Sequence, residues 1–409
     1  MYISVRTKYI FTLSVATGWM GLSLWLSMPW LHTLADALEL GLLTLADWLN
    51  WHALGEARSA IAPWIAGYLI GFLAIIPGFI NAFIMVALLV DRRPALPLFT
   101  TLPAVTVLVA AYNEESSIAE TVRSLLAQDY PGELHIIVIS DGSKDRTAAI
   151  VREEFLTRES RVRLIDLITN RGKAGALNEG LAQCTTDLVI TVDADCLVWK
   201  NGLYNIVSRY LADPAHTKAV AGAVLVRNSR ENWLTSAQEW DYFLGIGAIK
   251  RIQSLYQGTL VAQGAFSLYD RKVLQEVGGW PHTVGEDIVL TWKILEKGYR
   301  VGHAENAIAL TRCPNNLRQF VRQRQRWSRG LIEAFKAVPR ILFQPRMIGL
   351  YIWWNVMFPL MDLAYTLCFV PGVVAAIFGH YWIIGPMTLI LLPMSFLMNR
   401  VMYSQGKAV

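Results

Sequence analysis

The sequence predicts an α/β domain, doubly wound on a mixed, mostly parallel sheet and inserted between transmembrane helices. Three observations carry that expectation. Strand-like and helix-like stretches alternate through the middle of the chain. Long uncharged apolar runs lie on either side of it. Several of the predicted strands end in acidic or amide residues, at the sheet edge where open α/β folds bind their ligands.

The chain of 409 residues is 54% hydrophobic and only 17% charged, and its mean hydropathy is +0.36. Soluble domains carry about 25% charged residues, and here the deficit is concentrated. Tyr9–Leu31, Trp64–Val90 and Tyr381–Met398 hold no charge, and Ile348–Val370 holds only Asp362. Runs of this length suit helices crossing a hydrocarbon core of about 30 Å. Arg6, Lys8, Arg92, Arg93, Arg346, Arg400 and Lys407 flank these runs on one side, while the 32–63 loop carries Asp36, Glu39, Asp47 and Glu56 against Arg58. The positive-inside rule then places both termini and about residues 91–347 in the cytoplasm. The expected plan is a cytoplasmic N-terminus and first span over 1–31, an extracytoplasmic loop over 32–63 and a second span over 64–90. A cytoplasmic domain over 91–317, amphipathic interfacial helices over 318–347, spans over 348–370 and 371–400, and a tail over 401–409 follow. The first span is long for a signal core and reads as retained. Cys184, Cys196, Cys313 and Cys368 show no paired metal spacing and are expected reduced. The net charge of +5 suits an anionic membrane surface, and no nucleic-acid motif is present.

Within the domain, 104–111 reads as a buried strand ending in Tyr112-Asn113-Glu114, and a helix follows over 117–128. A second strand over 135–140 ends in Asp141-Gly142-Ser143, and a third covers 161–165. Asn170–Asn178 opens a helix in which Lys173 stands between Gly172 and Gly175; backbone N–H groups and an ammonium there could hold a phosphate, or the Lys is simply solvated. The fourth strand, 188–192, runs into Asp193-Ala194-Asp195. Alternate residues of extended chain point the same way, so the two carboxylates can converge on Mg²⁺ or Mn²⁺ carrying a diphosphate. An Asp-rich turn is the plainer reading of that stretch. Helices are expected over 199–211, 232–252 and 288–296, and strands over 219–226 and within 263–269. Glu286 and Asp287 precede the 288–296 helix, where acids also serve as caps. Arg318–Lys336 is a basic amphipathic helix, readable as interfacial on anionic lipid or with Gln323, Arg326 and Trp327 turned inward.

Taken in order, Ala111-Tyr-Asn-Glu114, Asp141-Gly-Ser143, Lys173–Asn178, Asp193-Ala-Asp195, Gly285-Glu-Asp287 and Gln323-Arg-Gln-Arg-Trp327 resemble the processive inverting glycosyltransferases of family 2. These are the synthases of cellulose, hyaluronan, chitin and poly-N-acetylglucosamine. The match runs over about 104–335. The resemblance implies a GT-A-like catalytic domain between membrane helices and a UDP-sugar donor bound by Ala111, Tyr112, Glu114, Asp141, Lys173 and Asp193. It implies a metal at Asp193 and Asp195, Asp287 as general base beside Glu286, and Gln323, Arg326 and Trp327 capping the donor and placing the acceptor. Many members have Thr where this chain has Gly285. Family channels often use more helices than four, so the resemblance also implies an incomplete translocation path or a small membrane partner subunit. No appended cyclic-dinucleotide domain is expected.

The function expected from these residues is extension of a β-linked polysaccharide at the inner (plasma) membrane, from UDP-N-acetylglucosamine first and UDP-glucose second. Growing polysaccharide and membrane lipid are the expected partners, and nucleic acid is not. A transferase adding one sugar to a lipid acceptor would share the donor residues. A membrane scaffold or transporter subunit with an inactive α/β domain would not need the intact acidic set.

Overall fold

The structure, a computed structural model, describes residues 4–91, 96–243, 245, 249–256, 258–379, 396–397 and 400. The chain divides into two compact units, one of Met1–Arg92 with Trp353–Ala408 and one of Arg93–Ile352.

The first unit begins with α1 (Val5–Leu49), α2 (His52–Ile70) and α3 (Ile76–Val90), the last two joined through a π-helical turn at Gly71–Ile75. The expected loop over 32–63 is therefore helical, with the break confined to Asn50 in the left-handed region (φ 54°) and Trp51. Leu34, Ala35 and Leu38 fall at helical spacing and pack against Ala66, Leu69 and Ile70. Burial of that stripe outweighs a few exposed carboxylates, which a helix tolerates on its outer face. Val5–Leu49 and the continuous run His52–Val90 are long and apolar enough to cross a membrane. Trp25, Trp48 and Trp64 stand exposed on them, as side chains facing lipid would.

The second unit is built on one eight-stranded sheet of order β3-β2-β1-β4-β7-β6-β8-β5. Its strands are β1 (Val105–Ala111), β2 (Leu134–Asp141), β3 (Val162–Leu167), β4 (Leu188–Asp193), β5 (Leu197–Val198), β6 (Thr217–Val226), β7 (Phe266–Asp270) and β8 (Arg300–Thr311). The pairs β1–β2, β2–β3, β1–β4 and β6–β8 are parallel; β4–β7, β6–β7 and β5–β8 are antiparallel. The sheet is mixed and mostly parallel, as expected. Val107, Val109, Ile136, Val138 and Ile190 are fully buried and share one core with Val122 and Leu125. Such β-branched runs suit strands covered on both faces.

Nine helices of this unit are described: α4 (Ile118–Leu126), α5 (Thr147–Val151), α6 (Gly172–Ala182), α7 (Gly202–Ala212), α8 (Trp233–Tyr242), α9 (Lys250–Leu255), α10 (Arg271–Glu276), α11 (Glu286–Glu296) and α12 (Leu317–Ala337). The expected 232–252 helix is described as α8 and α9, and β8 was not foreseen. Glu305 and Asn306 interrupt the alternation of β8, and its register to β6 shifts between Ala221 and Ala223, so a two-residue period is not visible in its sequence.

The first unit resumes in α13 (Gly349–Ala364), a π-helical segment at Tyr365–Phe369 and α14 (Val370–Ile377). Gly349–Ile377 is a third stretch long and apolar enough to span. The third expected span thus continues past residue 370; Pro371 stands in the first turn of α14, directly after the π-helical segment, where a proline is tolerated. Of the fourth, 371–400, residues 380–395 lie outside those described, as does the 401–409 tail.

Candidate active site

Strand order reverses at β1, which has β2 on one side and β4 on the other. This is a topological switch point, where a crevice opens beyond the carboxyl ends of the strands. Ala110 pairs with Asp193 across it, so the residues after β1 and the acids after β4 reach the same crevice. Tyr112 is exposed there. Asn113 turns the chain through a left-handed conformation (φ 57°), which amide side chains tolerate. Its Oδ1 accepts the Lys144 N–H at 2.8 Å, and the Glu114 N–H donates to Thr147 Oγ1 at 2.8 Å. The ends of β1 and β2 are laced together through side chains that neither segment reveals alone.

Asp141 is buried and its Oδ1 accepts the Arg171 N–H, just before α6, at 2.7 Å. Gly142 follows at φ +67°, and a Cβ there would stand 2.7 Å from the Asn170 nitrogen. Only glycine lets this turn close against the start of α6. That places Asp141, at the end of β2, beside Lys173, in the first turn of α6.

At the centre, Lys173 Nζ lies 2.5 Å from Asp193 Oδ1 and 3.5 Å from Glu286 Oε1. Burial pulls the ammonium down, but Asp193 and Glu286 outweigh it and hold the Lys173 pKa above its ordinary value. Burial pushes the Glu286 carboxyl up to about 7, with Lys173 pulling against it and Asp287 adding to it. Burial, with Asp193 beside it, also raises Asp195. Glu114 is raised by burial against its bond from Ser117. Asp193, Asp195, Glu286 and Asp287 gathered around Lys173 are costly in stability and characteristic of working sites.

Folding takes up a proton at Glu286 between its ordinary value of 4.5 and about 7. The resulting stability is full below 4.5 and is lost as pH rises through about 7. The wild-type Tm is expected to fall across that window relative to Glu286→Gln, whose amide does not titrate. Parallel Tm curves for the two proteins would contradict this.

Asp193, Asp195 and Cys196 each offer an atom within 4.8 Å of the others, which makes them a candidate cation site. The two carboxylates supply the hard oxygens that Mg²⁺ or Mn²⁺ prefers. The Cys196 thiol is fully buried, held protonated by that burial, and donates to Asp195 Oδ1 at 3.5 Å. It orients a carboxylate and is a poor ligand for a hard ion.

Glu286 and Asp287 open α11, but neither is its cap: that position is Gly285, with no side-chain bond. Asp287 Oδ2 instead accepts the Gly264 N–H at 3.3 Å. A carboxylate here gains from the helix dipole while facing the strand edge. Helix α12 crosses beside it. Trp292 of α11 meets Phe335 edge to face at 4.8 Å. Trp327 is about half exposed, 6.1 Å from the Tyr242 ring, with the Arg324 guanidinium 4.3 Å above it. Gln323 Oε1 is buried without a hydrogen-bond partner among the described residues. Arg326 is exposed and, among the described residues, no ion pair joins it to the acids. A cleft of about 590 Å³ between α6 and α12 is lined by Lys173, His282, Glu286, Arg329 and Glu333.

Residues 106–278, which include the ends of β1, β2 and β4, match Glycosyl transferase family 2. The likeness to that family is one of the α/β domain, from β1 to the end of α10. Glu286, Asp287 and α12 lie beyond the matched stretch. Poly-beta-1,6-N-acetyl-D-glucosamine synthase of Staphylococcus aureus (strain COL) is 34% identical over 230 residues, 56% of this chain and 55% of the relative. The enzyme of that name from Staphylococcus epidermidis is 34% identical over 227 residues, 55% of this chain and 54% of the relative. The chain thus spans about half the length of the curated relatives it matches. A mannosyltransferase from Pyrobaculum calidifontis, solved with GDP-Man and Mn²⁺, superposes with a TM-score of 0.58 at 22% identity, over 83% of this chain and 98% of that one. That likeness shows the fold alone.

Proposed function

We propose that the protein is a membrane-embedded inverting glycosyltransferase that extends a β-linked polysaccharide from a UDP-sugar. UDP-N-acetylglucosamine is the first donor to test and UDP-glucose the second. The observation that carries this is the meeting of Lys173, Asp193 and Glu286 at the switch point, with Asp287 one residue further on. The preference for the sugar rests on the names of the relatives. A panel of UDP-sugars given to the purified protein, read by UDP release, tests it; release from none of them would refute it.

In this reading the nucleotide lies along the ends of β1 and β2, against Tyr112 and Asp141. The Lys173 ammonium and the N–H groups opening α6 face the diphosphate. Asp193 and Asp195 would hold Mg²⁺ or Mn²⁺, which supplies charge neutralisation for the departing diphosphate. Asp287 takes the proton from the acceptor hydroxyl. That oxygen attacks the anomeric carbon from the face opposite UDP, and the C–O bond to the diphosphate breaks with inversion. Glu286 stays beside Lys173 and sets its position. The domain is placed on the cytoplasmic face by its basic flanks; a reporter fused after Arg93 that reads the external side would contradict that.

Gln323, Arg326 and Trp327 are assigned to the acceptor and to the cover of the donor site. The half-exposed Trp327 face offers a stacking surface for a sugar, and the planar Arg326 fork is not replaced by Lys. Trp327→Phe and Arg326→Lys are expected to remain folded in the membrane fraction and to lose at least about tenfold in polymer yield. Wild-type yield and length from both variants would return this helix to the lipid surface.

A further inference from the structure

Helix α11 carries Glu286 and Asp287, and within its own segment Asp287 Oδ1 accepts the Ile288 N–H at 2.8 Å, but its N-cap residue, Gly285, supplies no side-chain bond. Unpaired N–H groups at a helix start are normally satisfied by a side chain, often a Glu reaching back to the N-cap position. Here that side chain comes from another helix. Glu333 of α12 accepts the Val284 N–H at 2.7 Å with one carboxylate oxygen. Its other oxygen accepts Arg329 Nε–H at 2.8 Å, one turn earlier on α12. Arg329, then the Val284 and Gly285 N–H groups, hold the Glu333 carboxyl below its ordinary range.

A second contact fixes the same junction. A Cβ on Gly285 would stand 2.5 Å from the Gly330 Cα, and one on Gly330 would stand 2.8 Å from the Gly285 Cα. The two backbones touch, with no room for even a methyl group. Gly330 and Ala334 are buried on α12, one turn and two turns beyond Trp327. The residue before Glu286 and Asp287 is thus pinned to the helix that bears Gln323, Arg326 and Trp327. The contact also accounts for Gly285 itself, since any other residue would push α12 away.

We infer that Glu333 is a positioning residue, a cap supplied in trans that sets the register between the acceptor helix α12 and the base on α11. This rests on the glycosyltransferase reading above. The glycine contact fixes how close the two helices lie. Glu333 fixes how α12 is rotated, because its bond to the Val284 N–H holds one face of α12 against the start of α11. Glu333 lines the cleft beside Lys173 and Glu286, and its proposed effect passes through Asp287 and Trp327.

The test compares Glu333→Ala and Glu333→Gln with wild type in the full-length protein in native membranes, using UDP-N-acetylglucosamine. Glutamine keeps an acceptor for the Val284 N–H; alanine does not. Glu333→Ala is expected to lower kcat about tenfold with the donor KM within about twofold of wild type, and Glu333→Gln is expected to restore kcat to within about threefold. Amount and protease resistance in the membrane fraction should match wild type for both. Wild-type kcat in Glu333→Ala overturns the inference, as does an equal loss in Glu333→Gln, since a cap needs only an acceptor. A loss confined to the amount of folded protein also overturns it. Absence of turnover in wild type refutes the glycosyltransferase reading instead, so the two failures are distinct.

Discussion

Asp287→Asn is expected to retain UDP binding and to lose transfer by about 10²–10⁴ in kcat, the usual worth of a positioned general base. The argument is local. Asp287 lies in the first turn of α11 and is fixed by the Gly264 N–H at 3.3 Å. An Asn carbonyl can accept the same bond, so the backbone has no reason to move. What is lost is the ability to take a proton. The residues assigned to the nucleotide, Tyr112 and Asp141, stand at the ends of β1 and β2 and not on α11, so the Kd for UDP should stay within about twofold. Isothermal titration with UDP beside single-turnover rates separates the two effects. Turnover near wild type would remove Asp287 from the role and leave Glu286, the other acid of that turn, as the candidate.

Removal of divalent metal, or of Asp195, is expected to have a comparable effect. Asp193 and Asp195 are two like charges in a half-buried edge, and burial together with Asp193 already raises Asp195. Lys173 answers only part of that negative charge. A divalent cation between the carboxylates would relieve the rest and stabilise the leaving diphosphate, an effect worth several kcal/mol and so at least about 10² in rate. Chelation should abolish turnover in the wild type, and Mg²⁺ or Mn²⁺ should restore it. Asp195→Ala should stay inactive at any metal concentration and should lose the metal-induced rise in Tm. Full activity in chelator would end this account of the acidic pair.

The sheet and its polar edge were largely legible in the sequence. β1, β2 and β4 are mostly apolar, β-branched runs that stop at polar residues, and both features are local. The acids were legible for the same reason. The junction that organises them was not. Gly285 and Gly330 are small residues far apart in the chain, and nothing near either one announces a backbone contact. Glu333 reads as a surface partner of Arg329 at helical spacing, and its bond to the Val284 N–H exists only once α12 has docked. β8 escaped because a bulge and two polar residues hide its alternation. The 32–63 segment misled in the opposite direction: its acids were more visible than its apolar stripe. In each case the missing information was tertiary.

The central claim is polymer extension from a UDP-sugar at the edge where Lys173, Asp193 and Asp287 meet. It is tested most directly by incubating the purified full-length protein, reconstituted in lipid, with UDP-N-acetylglucosamine and Mg²⁺ and reading products by mass spectrometry. The account predicts a ladder of products spaced by one N-acetylhexosamine, made by wild type and absent from Asp287→Asn. A single added sugar, or a ladder made equally well by Asp287→Asn, would contradict it.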